Sequence, residues 1–351
     1  MAERRPRVLV AGGPVRDLSA RAAAVALATG FADSAEVAAV GLAEGGRALG
    51  QALVEPEGEL ESLRTGWLAR RPGLVAVGVD PVAPEDPLTG SSAALGRLVG
   101  YSLQTDGSSR GGRTASVAID LTALDVHDAG AGFLGALGAS ADVALDAGPE
   151  PLAGLTRLEL DVVRARFAGC ELVGLVSPGA LDDQLLGLRG VTSRRGRGLG
   201  TPAERMLAVD AALERFAELA DAGHARVAGA GAAGGVGFAI LALGGRLSTG
   251  PAFCSERIGL DRGLAAADLV VAACDSFDFG RRGGGVVTEL AGWCETAETP
   301  LVVVSPTIEM SEREMRVMGV ESGHLLEPGT DTAAALTATG RRLAAGWAAR
   351  W

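Results

Sequence analysis

Residues 229–250 read GAGAAGGVGFAILALGGRLSTG. The first six, Gly229-Ala230-Gly231-Ala232-Ala233-Gly234, fit G-x-G-x-x-G, and an apolar run from Val236 to Leu243 follows. A dinucleotide site would need a clear strand before the glycines and an acid closing a second strand about 20 residues later. Only Ala225-Arg226-Val227-Ala228 precedes them, and residues 248–256 do not read as a second strand. Nicotinamide binding is therefore not expected. Two readings remain open. Free N–H groups at a helix N-terminus could hold an anion, or the glycines could let two backbones pack closely.

Outward from this stretch, strand and helix signals alternate. Downstream, Leu269–Ala273 and Leu301–Ser305 are short apolar runs of buried-strand type, and residues 331–351 read as a closing helix. Upstream, residues 7–11 form a strand ending in Gly12-Gly13-Pro14, and Ser19 caps a helix over Ala20–Thr29 that Gly30 stops. Residues 36–42 and Leu74–Val79 follow as strands, with a helical stretch between them. A helix is expected over 92–103, a polar loop over 105–113, strands over 115–121 and 171–177, and a small-residue helix over 130–137. Residues 191–200 read as a basic, glycine-rich loop suited to an anion or to an exposed charge run. Residues 202–222 are an amphipathic helix with Leu207, Ala211, Leu213, Phe216 and Leu219 at helical spacing. This βαβ rhythm predicts an α/β protein with sheets covered by helices.

The 351 residues are enough for two domains. All 32 Lys+Arg residues are Arg; the chain has neither lysine nor asparagine. A P-loop with its lysine, a pyridoxal-phosphate Schiff base and N-glycosylation are thereby excluded. The net charge of −11 argues against nucleic acid and anionic membranes as partners. The four cysteines stand singly, in no metal or redox spacing, and read as buried thiols. Neither a signal peptide nor a membrane-length apolar stretch is legible, so a soluble cytoplasmic location is expected.

Five segments in collinear order carry a resemblance. Residues 229–250 and then 260–271 (LDRGLAAADLVV) are similar to the G-A-G-A-A-G-G-[LV]-G and A-D-L-V-I signatures of the bacterial type 1 glycerate kinase family. The opening VLVAGGPVRDLSA resembles that family's first strand and P-D-S-F-K-G segment. Leu42-Ala43-Glu44-Gly45-Gly46 resembles M-A-D-G-G. His127-Asp128-Ala129-Gly130-Ala131-Gly132 resembles N-D-G-G-A-G, and residues 182–190 resemble D-N-P-L-L-G-x-x-G. The resemblance implies two α/β domains, with parallel and mixed sheets flanked by helices and the active site in the cleft between them. Residues 1–80 with 285–351 would form a Rossmann- or flavodoxin-like domain, and 81–284 an inserted second one. It also implies ATP-dependent phosphoryl transfer to glycerate or a similar hydroxy acid, with Mg²⁺.

Carried over position by position, the resemblance gives Asp278, Asp128 and Arg16 catalytic roles. Gly45, Gly46, Gly231, Gly234, Arg281 and Arg282 would bind substrate or phosphate, and Glu44 and Asp182 would hold the metal. Several family positions have lost their functional groups: Gly12 stands for an acid, Val15 and Gly285 for lysines, Cys274 for a glutamate, and Arg47 for a second acid. Each lost charge-stabilising donor removes a factor of about 10² to 10³ in rate. Two expectations therefore stand together: a glycerate kinase with altered machinery, and an inactive kinase-fold protein that binds a small ligand, a protein partner or a second copy of itself.

Overall fold

The computed structural model describes residues 4–105, 115–280, 282–327, 329 and 331–347. In chain order the elements are β1 (Arg7–Gly12), α1 (Ala20–Thr29), β2 (Glu36–Gly41), α2 (Gly46–Val54), β3 (Glu59–Leu63), β4 (Gly66–Arg71), β5 (Leu74–Val79), α3 (Ala93–Thr105), β6 (Ser116–Asp120), α4 (Ala131–Ala136), β7 (Ser140–Ala141), β8 (Leu158–Glu159), α5 (Asp161–Phe167) and β9 (Glu171–Val176). There follow α6 (Val191–Gly198), α7 (Ala203–Asp221), α8 (Ala232–Ala242), β10 (Arg246–Thr249), α9 (Gly250–Ile258), α10 (Leu260–Ala266), β11 (Leu269–Ala273), β12 (Phe277–Asp278), α11 (Gly284–Thr296), β13 (Leu301–Ser305), β14 (Ile308–Glu309), α12 (Glu312–Val317), β15 (Ser322–Leu325) and α13 (Thr332–Trp347). They divide into two compact units: residues 1–44 with 250–351, and residues 45–249.

The first unit is built on a five-stranded, all-parallel sheet in the order β15-β13-β11-β1-β2. Counted along this unit alone the order is 2-1-3-4-5, the flavodoxin-like arrangement, whose strand order reverses between β1 and β11. Its strands are short apolar runs because parallel strands are covered on both faces. Val10, Val271, Val302 and Leu27 are fully buried in one cluster with Phe31 and Leu336 of the flanking elements. Each such side chain contributes about 1.5–3 kcal/mol by leaving water. The predicted α1 is present with its stop signals: the Ser19 hydroxyl accepts from Ala22 N–H, and Gly30 closes the helix.

The second unit carries a six-stranded mixed sheet, β10-β9-β6-β5-β4-β3. β10, β9, β6 and β5 are parallel, while β4 and β3 run antiparallel at one edge. The domain boundaries differ from the sequence expectation. β5 pairs with β4 and β6, which draws residues 45–80 into the second unit. β11 pairs with β1 and β13, which draws residues 250–284 into the first. Local periodicity identifies a strand but not the sheet it joins.

Two further expectations change. Residues 191–198 are the helix α6, not a loop. Arg194 pairs with Asp183, Arg195 donates to the Val126 carbonyl at 2.7 Å and meets Asp125 at 3.1 Å, and Arg197 donates to the Leu188 carbonyl at 2.6 Å. These arginines hold the fold together and are not free for an anion. On α7 the buried face runs through Val209, Ala212, Leu213 and Phe216, leaving Leu207 exposed. The loop expected at 105–113 lies, apart from Thr105, outside the described residues.

Candidate active site

In an open parallel sheet, ligands bind beyond the carboxyl ends of the strands, where the strand order reverses. In the first unit that point lies after Gly12 of β1 and Ala273 of β11. Beyond β1 the chain turns through Pro14 and Val15 into Arg16, an exposed residue held at φ 51°. Its backbone N–H donates to Asp275 Oδ1 at 2.8 Å, tying the two strand ends together. Beyond β11, the Ser276 hydroxyl donates to Asp278 Oδ2 at 2.6 Å, and the Arg282 N–H donates to the Asp278 carbonyl at 2.7 Å. Asp278 is half-buried, while Phe279 and Arg282 are exposed, the Arg282 guanidinium lying 5.7 Å from the Phe279 ring centre. Arg281 lies outside the described residues.

Glu44, beyond β2, reaches the same edge, but its Oε1 accepts the Gly285 N–H at 2.6 Å. It sits as an anion on the N-terminus of α11, where orphan N–H groups and the helix dipole favour negative charge. Glu44→Ala is expected to lower stability by about 1 kcal/mol, read from the urea midpoint; an unchanged midpoint would remove the capping role. Cys274, in place of the family's glutamate, is buried, and burial pushes its thiol up to about 12, so it supplies no nucleophile.

The second unit places its expected site residues differently. Asp128 is completely buried. Its Oδ2 accepts from Ser92 N–H at 2.7 Å, Ser92 Oγ at 2.9 Å and Gly132 N–H at 3.0 Å, and its Oδ1 accepts from Gly130 N–H at 3.0 Å. Burial pushes its pKa up, and the four donors oppose that shift. A carboxylate so enclosed has no face for a substrate, so the catalytic expectation for Asp128 is replaced by a structural one: it caps the starts of α3 and α4.

Gly45 and Gly46 are also structural. A Cβ at Gly45 would lie 1.9 Å from Thr122 Oγ1, and the Gly46 N–H donates to the buried Asp120 at 2.6 Å. Asp120 in turn accepts from Thr122 N–H and Oγ1. An acid ending a buried strand was the overlooked signal for this cap of α2. Arg47, the reversed charge, is pulled onto Asp80 at 2.9 Å and the Gly66 carbonyl.

The glycine-rich stretch resolves its two readings. Ala233, Gly234 and Gly235 all have positive φ at the start of α8. A Cβ at Gly234 would lie 1.7 Å from the Val126 carbonyl oxygen, and the Gly234 carbonyl accepts from Ala129 N–H. The buried Gly231 donates its N–H to the Asp183 carbonyl. Gly231 and Gly234 therefore pack backbone on backbone, and the Gly231 N–H is already engaged. Asp182 is exposed at the end of a short 3₁₀ turn.

Among the described residues, no group of three or more His, Cys, Asp or Glu side chains comes together to hold a metal. Glu44 belongs to the first unit and Asp182 to the second, and no chemical step is routed through a metal. No described helix is long and apolar enough to cross a membrane.

The comparisons agree with the sequence resemblance. A profile described as "Glycerate kinase family" matches residues 16–349. An uncharacterized protein of Mycobacterium bovis is 27% identical over 346 residues, covering 90% of this chain and 82% of its own. A glycerate kinase of Bacillus cereus is 22% identical over 251 residues, covering 69% and 63%. In architecture, the chain is similar to a crystal structure from Salmonella typhimurium LT2 assigned as a glycerate kinase 2, with a TM-score of 0.78, 21% identity, and coverage of 98% and 99%. With a family match running over nearly the whole sequence, the chain belongs to the glycerate kinase family.

Proposed function

We propose that this protein transfers the γ-phosphoryl group of ATP to the hydroxyl of glycerate or a similar small hydroxy acid, at the strand-reversal edge of its first unit. The observation that carries this reading is Asp278, a half-buried carboxylate that accepts from the Ser276 hydroxyl beyond the end of β11, in a loop that also carries the exposed Arg282, while the exposed Arg16 follows the neighbouring β1. Phosphoryl transfer asks the protein mainly for positioning and charge stabilisation. Asp278 would accept the substrate hydroxyl's proton while the substrate oxygen bonds to phosphorus and the bond to ADP breaks. Arg16 and Arg282 would offset charge on the transferring group and on the substrate carboxylate.

A coupled ADP-release assay with D-glycerate, ATP and Mg²⁺ tests this. Turnover that Asp278→Asn lowers by 100-fold or more is expected; no turnover above background from folded protein would overturn the reading. A second reading, ligand binding without turnover, is favoured by one observation. Where the family places a lysine, Gly285 offers only its N–H, and Glu44 already occupies it. A thermal shift with ATP or glycerate in the absence of turnover would select it.

A further inference from the structure

Phe279 is 63% exposed in a chain whose aromatic content is only 4%. Phe31, Phe253 and Phe277 of the same unit are fully buried, and Trp293 and Trp347 are half-buried. An exposed ring costs stability, so its position matters. It directly follows Asp278, beyond the end of β11, at the edge where the strand order reverses.

One side of the ring is already engaged. The Arg282 guanidinium lies 5.7 Å from its centre, within cation–π range. Arg282 is held there by its N–H bond to the Asp278 carbonyl and by a left-handed backbone, φ 50°. A non-glycine residue in that conformation carries strain, and such strain gathers where a ligand is clamped. Gly283 and Gly284 continue the left-handed path at φ 75° and 74° into the start of α11.

We propose that Phe279, backed by Arg282, is the stacking platform for the purine base of the nucleotide. A flat π-face next to a cation suits an aromatic heterocycle with phosphates attached: the ring takes the base, and the guanidinium takes the adjoining negative charge. This assignment deepens the phosphoryl-transfer reading and rests on it for the choice of nucleotide. It makes Phe279 a specificity residue, not a chemical one.

The test uses the full-length protein and two probes, ATP and inorganic tripolyphosphate, titrated calorimetrically against wild type, Phe279→Ala and Phe279→Trp. Stacking of one base on one ring predicts that Phe279→Ala weakens ATP binding by about 10- to 100-fold. Tripolyphosphate, which has no base, should bind both proteins alike, and Phe279→Trp should keep ATP binding near wild type. Equal ATP affinity for wild type and Phe279→Ala overturns the platform, as does wild-type affinity no greater for ATP than for tripolyphosphate. Failure of the two readings is distinguishable. ATP binding that depends on Phe279 without phosphoryl transfer leaves the platform standing and removes the kinase reading. Phosphoryl transfer with ATP affinity indifferent to Phe279 does the reverse.

Discussion

Asp128→Ala is expected to cost about 3–5 kcal/mol of stability, or to prevent soluble expression. The carboxylate is fully buried and accepts four hydrogen bonds from Ser92, Gly130 and Gly132. Alanine would leave three backbone N–H groups and a hydroxyl without their acceptor, at about 1–3 kcal/mol for each donor that water cannot reach. Asp128→Asn should lose less, because one oxygen remains, but its amide nitrogen would face donors. Urea unfolding followed by circular dichroism measures both. A loss below about 1 kcal/mol in the alanine variant would refute the capping role. Unchanged stability with lost turnover would return Asp128 to the chemistry that the family pattern first gave it.

The second large effect concerns acid. His127 is fully buried, with Nε2 2.9 Å from Thr192 Oγ1 and Nδ1 without a partner among the described residues. Burial first, and the nearby Arg195 guanidinium second, lower its pKa to about 3, with Asp86 acting weakly the other way. In the unfolded chain the same imidazole titrates near 6.5. Between those values the unfolded state binds a proton that the folded state refuses. Stability is therefore intact above about pH 6.5 and falls as the pH drops towards 3, by about 1.4 kcal/mol per pH unit. At pH 4.5 the loss is about 2–3 kcal/mol. His127→Asn, the residue of the family motif, removes this contribution. The stability difference between the two proteins should shift steadily in the variant's favour as pH falls from 6.5 to 4.5. A difference that stays flat over that range would show that the buried histidine does not set the acid limit.

The residues themselves explain which features could be read in advance. β11 and β13 match their apolar runs because a strand buried on both faces must be apolar at every position, and that pattern is local. α1 is equally local, since Ser19 and Gly30 are chemically committed to starting and stopping a helix. The hairpin of β3 and β4 was missed: β3, at the sheet edge, is half polar (ELESL), so no apolar run marks it. The site was harder still. Asp128 and Asp278 lie in similar glycine-rich surroundings, yet one is enclosed by Ser92 and the starts of two helices, and the other stands half-open beside Ser276. That difference depends on partners brought in by topology. The same holds for Gly234, whose glycine is demanded by the Val126 carbonyl more than a hundred positions earlier.

The central strand of the first unit has a consequence for synthesis. Val8 of β1 lies between Val37 of β2 and Leu269 of β11. When β1, α1 and β2 leave the ribosome, one edge of β1 has no partner. The whole of residues 45–249 must be made before β11 arrives, a wait on the order of 10–40 s at ordinary translation rates. The inserted unit is contiguous and can close its own sheet during that interval, while the nascent β1–β2 pair keeps an apolar edge open. Chaperone dependence of the newborn chain should therefore be concentrated in its first forty residues, well away from the segment that carries Asp278 and Phe279.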